Sequence, residues 1–143
     1  MCIRDRSILA LPTEQKYKDI VNKKVKKREP WRPFCPTIIA EKSNEFLKNS
    51  SYAPYMILGF EMKNPELYPA VIHVDGTCRP QILKKDDNPD FHQVVKGLDG
   101  IILNTSFNLA GDPIVETPYD AFMTLKNSEM DAVIINDFMV EKR

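Results

Sequence analysis

The segment from Asn88 to Leu103 constrains the fold most, because it combines a capped helix with a short buried strand. Asn88 is suited to cap a helix that Pro89 opens and Gly100 ends. The expected inward face of this helix consists of Phe91, Val94, Val95 and Leu98. The apolar run Ile101–Leu103 then lacks polar alternation, which is typical of a strand covered on both faces by helices. The segment therefore predicts an α/β domain.

Other segments predict further helices and strands around this core. Thr13 is expected to cap a helix that runs to Lys27, and Thr117 to cap another, with Asp120 completing a capping box. The remaining expected elements are a short helix at 43–47, a loop at 49–55, an extended proline-rich arm at 29–39, and strands at 56–62, 70–75, 77–83, 132–135 and 138–140. The strands on either side of Gly76 are expected to pair as a hairpin. Together these elements predict one α/β domain with a mixed twisted sheet and flanking helices.

Composition argues against several classes of protein. Twenty basic and twenty acidic residues cancel, so nucleic acid is not expected as a partner. No apolar run approaches the ~20 residues of a membrane helix, and no membrane partner is expected. Scattered histidines and acids match no coordination spacing, so no metal site is predicted in this domain. Three separated cysteines without a CxxC pair indicate a reducing, cytoplasmic environment.

Small polar side chains follow the apolar strand that ends at Leu103. They are Asn104, Thr105, Ser106 and Asn108. Their hydroxyl and amide groups are suited to bind phosphate oxygens, and ligands in α/β sheets gather beyond the carboxyl ends of strands. The alternative is a turn in which these side chains bond to their own backbone, and the spacing alone favours that turn.

A basic segment precedes the proline-rich arm. Between Lys16 and Arg32 there are eight basic residues and two acids, a balance that suits a small phosphate-bearing ligand. If the chain is extended there, Lys26 and Arg28 point to one side about 6.5 to 7 Å apart, which fits neighbouring phosphates. The alternatives are a solvated basic helix end for this pair and an ordinary surface arginine for Arg32.

The run "HVDGTCRPQ" offers a further possible anion contact at Arg79. A cross-strand ion pair would explain that arginine equally well. His73 is expected to be a hydrogen-bonded strand residue, although an acid or ligand role is open. His92, beside Phe91 on the predicted helix, is expected to lie at the surface.

Six blocks in order resemble one family. They are "RSILA", "VKKREPWRPFCPTI", "APYM", "PAVIHVDGTCRPQ", "ILNTSFNLAGDPIVETPYDA" and "MDAVII". Between Arg6 and Val140 the chain resembles the C-terminal, YrdC-like domain of the O-carbamoyltransferases found in nodulation and antibiotic biosynthesis. Residues 1–5 do not resemble the family and are expected to be a non-native lead, whereas 6–143 are expected to be the second domain of an N-terminally truncated enzyme.

The resemblance implies a function and a set of site residues. Such a domain is expected to bind ATP, Mg²⁺ and carbamoyl phosphate and to form carbamoyl-adenylate. A preceding actin-like domain, which is also the expected place for iron or another metal, would transfer the carbamoyl group to a hydroxyl of a small molecule. Lys26, Arg28 and Arg79 match positions expected to be catalytic. The expected contacts of ATP or carbamoyl phosphate are Lys26, Arg28, Arg32, Arg79, Asn104, Thr105, Ser106 and Asn108.

Two other functions are compatible with the same sequence. YrdC-like relatives act in tRNA modification, and the basic run at 23–32 contains an aromatic residue, which is compatible with RNA binding. A domain separated from its transferase partner is also compatible with an inactive docking role.

Overall fold

The computed structural model describes residues 5–142, which form a mixed α/β fold as the sequence predicts. The strands are β1 (Ser7–Ala10), β2 (Cys35–Ile39), β3 (Phe60–Glu61), β4 (Thr77–Cys78), β5 (Gln81–Leu83), β6 (Ile101–Ser106), β7 (Ala132–Ile135) and β8 (Phe138–Glu141). The helices are α1 (Gln15–Ile20), which continues into a π-helical turn (Val21–Val25), α2 (Ser43–Phe46), α3 (Pro89–Gly97) and α4 (Pro118–Lys126). Two 3₁₀ turns lie at Ala40–Lys42 and Pro65–Leu67.

The main sheet has four strands in the order β1-β6-β2-β5. β6 is antiparallel to both neighbours, whereas β2 and β5 are parallel, so the sheet is mixed as expected. β1 was not predicted from the sequence, and the residues of β2 were predicted to be extended but not to form a strand of the sheet. Pro36 lies in β2 just before Thr37, the first residue that pairs with β5, and this is a position where a strand tolerates a missing N–H.

The core explains why β6 is apolar at its start. Leu103 packs with Val21 and Val25 of the π-helical turn, while Ile102 packs with Val95 of α3. Since neighbouring side chains of a strand point to opposite faces, β6 is covered on both sides, as its composition predicts. Leu103 is fully buried, so truncating it to alanine is expected to cost about 2–5 kcal/mol.

Both predicted proline-opened helices form with their predicted caps. The Phe91 backbone N–H donates to the Asn88 side chain at 3.0 Å. At α4 the Asp120 N–H donates to Thr117 Oγ1 at 3.1 Å, and the Thr117 N–H donates to Asp120 Oδ2 at 3.0 Å. The predicted strands at 132–135 and 138–140 are confirmed as β7 and β8, and the predicted short helix is α2.

The expected inward face of α3 is wrong in part. Val94 and Leu98 are exposed, whereas His92 is buried, so the surface assignment of His92 is also wrong. His92 Nε2 lies 3.0 and 3.1 Å from the two carboxylate oxygens of Glu41. The Glu41 carboxylate gives the buried imidazole a hydrogen-bond partner. His92 can therefore lie on a buried helix face that apolar spacing alone assigned to apolar side chains.

The first helix begins later than predicted and changes its form. It starts at Gln15 without the expected Thr13 cap, and it widens after Ile20 into the π-helical turn. In that turn the Lys26 N–H donates to the carbonyl of Val21, five residues earlier, at 2.8 Å. A π turn is rare and has no simple sequence signal.

The predicted strand 56–62 is mostly absent, and the predicted hairpin around Gly76 does not form. Met56 has a left-handed backbone with φ of 58°, and only Phe60–Glu61 is a strand. The turn itself is present, because Gly76 has φ of 79° and its N–H donates to the His73 carbonyl at 3.0 Å.

The chain after that turn pairs elsewhere. β4 pairs with β3, and β5 pairs with β2, so residues 77–83 are two short strands in different sheets rather than one. Pro80, which has no N–H, lies between them and ends the first ladder. Ala70 and Val71 are fully buried in the core instead of forming a strand.

The proline-rich arm is not extended throughout. The Arg32 N–H donates to the Glu29 carbonyl at 3.2 Å, which closes a turn, and β2 starts three residues later. The prediction of one extended arm at 29–39 is therefore wrong at its start, whereas Cys35–Ile39 is extended as predicted. The turn brings the Arg32 carbonyl within hydrogen-bond distance of the Asn22 side chain.

Candidate functional site

Lys26 joins the end of the π-helical turn to the end of β6. Its ammonium nitrogen lies 2.7 Å from the Ser106 carbonyl, 3.2 Å from Ser106 Oγ, 2.9 Å from the Asn108 carbonyl and 2.7 Å from Asn108 Oδ1. Four acceptors thus surround a group with three N–H donors. The structure brings together Lys26, Ser106 and Asn108, which we call the lysine corner.

The local backbone differs from the predicted extended geometry. Lys26 has helical angles (φ −92°, ψ −12°), and Lys27 is left-handed with φ of 43°. The Arg28 N–H donates back to the Asn22 carbonyl at 3.0 Å. The prediction that Lys26 and Arg28 point to one side of an extended segment is therefore wrong. The turn directs Lys26 to β6 and Arg28 toward Asn22 and Phe34.

Arg28 is held by a residue that the sequence did not single out. Its Nε donates to Asn22 Oδ1 at 2.7 Å, and its guanidinium carbon lies 4.2 Å from the centre of the Phe34 ring. Asn22 is fully buried, and its amide also donates to the Arg32 carbonyl at 2.9 Å. One asparagine thus fixes the turn that carries both arginines. The only available signal was a polar residue among apolar helix positions.

Burial and like charge act on these cations. Burial, followed by the charge of Arg28, lowers the pKa of Lys26 to about 8. Burial, followed by the charge of Arg32, lowers the pKa of Arg28. Among the described residues, no carboxylate forms an ion pair with Lys26 or Arg28. The cluster therefore carries positive charge that an anion would stabilise.

The loop after β6 also has the local bonding of a turn. Ser106 Oγ donates to Asn108 Oδ1 at 2.7 Å, and the Asn108 amide donates to the Asp112 carbonyl at 2.8 Å. Thr105, opposite Ile8 of β1, is half-buried. The loop therefore has the local side-chain bonding that the turn alternative predicted. The same loop also supplies hydrogen-bond acceptors to Lys26.

Asn104 lies inside the sheet rather than at its end. It is buried and donates to Thr37 Oγ1 at 3.0 Å, and Thr37 donates to Gln81 Oε1 at 3.2 Å. No donor within residues 5–142 reaches Asn104 Oδ1. This buried polar row ties three strands of the main sheet together, and Asn104 is two residues from Ser106, the half-buried last residue of β6.

A cavity of about 340 Å³ lies beside the turn that carries Arg28 and Arg32. Its lining residues are Arg32, Pro33, Phe34, Cys35, Val71, His73, Thr77, Cys78 and Arg79. We call it the arginine cavity. It brings the predicted contacts Arg32 and Arg79 together, and both side chains are exposed to solvent. The ring of Phe34, one of the lining residues, lies 4.2 Å from the guanidinium carbon of Arg28.

A second cavity, of about 270 Å³, has the opposite charge. Asp112, Glu116 and Asp120 line it, and the Asp120 carboxylate caps α4. Three acidic residues repel a phosphate, so this cavity does not suit the predicted ligand. Within residues 5–142 no cluster of three or more metal-binding side chains occurs, and no helix has the length and apolar composition of a membrane span.

Comparison with known proteins identifies the family. The model of the family described as Carbamoyltransferase C-terminus matches residues 2–142. The chain belongs to this carbamoyltransferase family. The resemblance predicted from the sequence blocks is thereby confirmed. Residues 1–4 lie outside the described part of the chain, and that residues 1–5 are a non-native lead stays a prediction.

Relatives of this carbamoyltransferase domain have several origins. An uncharacterized protein of Methanocaldococcus jannaschii is 36% identical over 97% of the chain and 24% of the relative. Nodulation protein NolO of Bradyrhizobium diazoefficiens is 35% identical over 97% of the chain and 27% of the relative. The 3'-hydroxymethylcephem-O-carbamoyltransferase of Amycolatopsis lactamdurans is 26% identical over 93% of the chain and 26% of the relative. The chain spans about a quarter of the length of the curated relatives it matches.

Proposed function

We propose that this domain binds ATP and carbamoyl phosphate and forms carbamoyl-adenylate. The observation that carries the proposal is the lysine corner, where the half-buried ammonium of Lys26 meets the Ser106–Asn108 loop. Arg28 follows two residues later and carries a second cation without a carboxylate partner among the described residues. A triphosphate supplies the negative charge that these groups lack.

The energetic reason is desolvation. Taking a cation partly out of water costs free energy, which the lowered pKa values of Lys26 and Arg28 record. Structural lysines usually avoid this cost by facing solvent or a carboxylate. A bound phosphate would offset the cost with charge-assisted hydrogen bonds, for which Lys26 would exchange some of its present acceptors.

The site residues divide by accessibility. Arg28, Arg32, Arg79, Ser106 and Asn108 lie at or near the lysine corner and the arginine cavity and are suited to contact ligand. Thr105 is half-buried beside them. Asn104 is buried, so in this proposal it supports the end of β6 and contacts no anion.

Formation of carbamoyl-adenylate requires the protein to stabilise negative charge on the phosphate oxygens and requires no covalent intermediate with the protein. In carbamoyl-adenylate formation water first cleaves the bond between the carbamoyl group and the phosphate of carbamoyl phosphate, which gives carbamate and inorganic phosphate. A carbamate oxygen then bonds to the α-phosphorus of ATP while pyrophosphate leaves. Cations positioned around the phosphates stabilise the charge that develops on their oxygens. Because the described residues include no group of three or more side chains arranged to hold a metal ion, Mg²⁺ would be bound by the phosphate oxygens of the nucleotide.

The relatives support carbamoyl transfer as the outcome. Two of them are named O-carbamoyltransferases, and the chain spans about a quarter of their length. We propose that a preceding actin-like domain of a longer protein transfers the carbamoyl group to a small-molecule hydroxyl. Free thiols at Cys35 and Cys78 agree with a reducing compartment, and we place this chemistry in the cytoplasm.

Exchange of labelled pyrophosphate into ATP tests the proposal. The chain is expected to catalyse this exchange only when carbamoyl phosphate is present, since carbamoyl-adenylate formation is then reversible. Lys26→Ala and Ser106→Ala are expected to lower the rate at least tenfold. Lys23→Ala removes the same charge from an exposed position of the same π-helical turn and is expected to leave the rate unchanged. Undiminished exchange in both site variants would remove the lysine corner from the mechanism.

A further inference from the structure

The turn before β4 holds a histidine and an aspartate in a fixed relation. Asp75 Oδ1 accepts from the Thr77 N–H at 2.9 Å and from Thr77 Oγ1 at 2.6 Å, and it lies 3.4 Å from His73 Nδ1. The His73 N–H also donates to the Thr77 carbonyl at 2.8 Å. Hydrogen bonding from Thr77, with a smaller effect of His73, lowers the pKa of Asp75, so the carboxylate is charged at neutral pH.

This histidine opens onto the arginine cavity. His73 and Thr77 line it together with Arg32 and Arg79, and nearly half of the His73 side chain is exposed. Since Nδ1 faces Asp75, Nε2 is the ring nitrogen left for a ligand in the cavity. A histidine that served only to close the turn would not need this exposure, because its backbone already makes the turn's hydrogen bonds.

We propose that His73 is a binding residue for the phosphate group of the small acyl-phosphate substrate and that Asp75 is a positioning residue acting through it. This role rests on the function proposed above, and it assigns the two ligands to different places. The nucleotide phosphates lie at the lysine corner, and the phosphate of the smaller substrate lies in the arginine cavity. The cavity volume of about 340 Å³ is at the lower end of the range for ligand sites, which suits a small anion.

The charges around His73 agree with this assignment. Arg32 and Arg79 attract a dianion, and Asp75 lies beside the opposite ring nitrogen of His73. Cys35 and Cys78 also line the cavity, and burial raises the pKa of Cys78 to about 12, so its thiol stays neutral. With both ring nitrogens protonated, His73 would add its Nε2–H to the N–H donors of the two arginines.

Two substitutions of the same histidine isolate the Nε2 contact. His73→Asn keeps an amide near Asp75 but has no group at the Nε2 position, whereas His73→Gln places its amide nitrogen there. By calorimetric titration, inorganic phosphate is expected to bind at least fivefold more weakly to His73→Asn and within about twofold of the unmodified protein for His73→Gln. Carbamoyl phosphate is expected to follow the same order.

Rescue by His73→Gln separates a ligand contact from a merely structural role, because an amide at the Nε2 position would not restore a loss caused by an altered turn. Asp75→Asn keeps the imidazole but changes the group beside its Nδ1, and it is expected to weaken phosphate binding less than His73→Asn does. Equal phosphate affinity of His73→Asn and the unmodified protein would overturn the proposal.

Titration with ATP as a second ligand distinguishes a failure of the His73 proposal from a failure of the proposed function. ATP affinity is expected to fall in Lys26→Ala and to be unchanged in His73→Asn. The affinity for inorganic phosphate is expected to be unchanged in Lys26→Ala and to fall in His73→Asn. Lys85→Ala, which removes an exposed charge elsewhere, is expected to change neither. If ATP does not bind at all, the proposed function fails while the phosphate titrations still decide the role of His73. If Lys26→Ala alone weakens phosphate binding, the separate subsite is refuted.

Discussion

The ammonium of Lys26 lies 2.7 Å from Asn108 Oδ1, although 82 residues separate the two in the chain. A π-helical turn positions one partner, and the loop after β6 positions the other. The contact joins a desolvated cation to a loop of neutral polar groups beside two arginines. The proposed binding of ATP depends on this contact.

Proton uptake should accompany ATP binding in mildly alkaline solution. Lys26 has a pKa of about 8 in the free protein, lowered by burial and Arg28, so it is largely deprotonated at pH 9. A bound phosphate favours the charged ammonium and raises this pKa, so ATP binding should take up protons at pH 9 and almost none through Lys26 at pH 6.5. Calorimetry in buffers of different ionisation enthalpy measures the uptake. Lys23→Ala should retain it, and a binding heat independent of buffer at pH 9 would contradict the expectation.

Asn22→Ala should destabilise the fold and weaken ATP binding together. The substitution removes the hydrogen bonds of a fully buried amide with Arg28 and the Arg32 carbonyl. Loss of such bonds should lower the free energy of unfolding by about 1–3 kcal/mol. Urea denaturation gives the stability, and calorimetry at a temperature where the variant is folded gives the affinity. Unchanged stability would show that Asn22 does not hold the turn.

Glu41→Gln should lower the melting temperature at neutral pH. A backbone hydrogen bond, followed by contact with His92, lowers the pKa of Glu41, so its stabilising effect is present above its ordinary pKa and is lost as pH falls through the folded value. Because Glu41 is exposed, the decrease should be about 1–4 °C at pH 7 and should disappear in acid. Glu66→Gln, at an exposed position elsewhere, is the control. A decrease that persists below pH 3 would refute the electrostatic origin.

Thr117→Ala should destabilise α4 at its start. The side chain of Thr117 accepts from the Asp120 N–H, and its loss should lower the free energy of unfolding by about 1 kcal/mol. Thr124→Ala removes a hydroxyl from the middle of the same helix and should be neutral or slightly stabilising, because alanine favours helix. Equal effects of the two substitutions in urea denaturation would argue against the capping box as the cause.

Local signals in the sequence were sufficient for some elements. Asn88 with Pro89, and Thr117 with Pro118, each combine a cap with a fixed φ angle, and both helices begin as predicted. The apolar run at Ile101–Leu103 identified the strand buried on both faces. These features depend on neighbouring residues, which a sequence shows directly.

Elements that depend on distant pairing were not predictable in this way. β2 contains Pro36 and follows a proline-rich run, so local rules suggested an arm, whereas pairing with β5 and β6 makes it a central strand. The sequence suggested Lys26 and the Ser106–Asn108 loop as two separate candidates. The contact between them depends on the π-helical turn, which the sequence did not predict. Asn22 and the burial of His92 became evident only when their partners were placed.

Mapping the amide resonances that shift when ATP is added is the most direct test of the binding site. We expect the largest shifts in two stretches, residues 26–35 and residues 104–109, and we expect Lys26→Ala to reduce them at equal ATP concentration. Lys23→Ala should leave them unchanged. Shifts confined to the acidic cavity between Asp112 and Asn127, or no shifts at millimolar ATP, would contradict the proposed site.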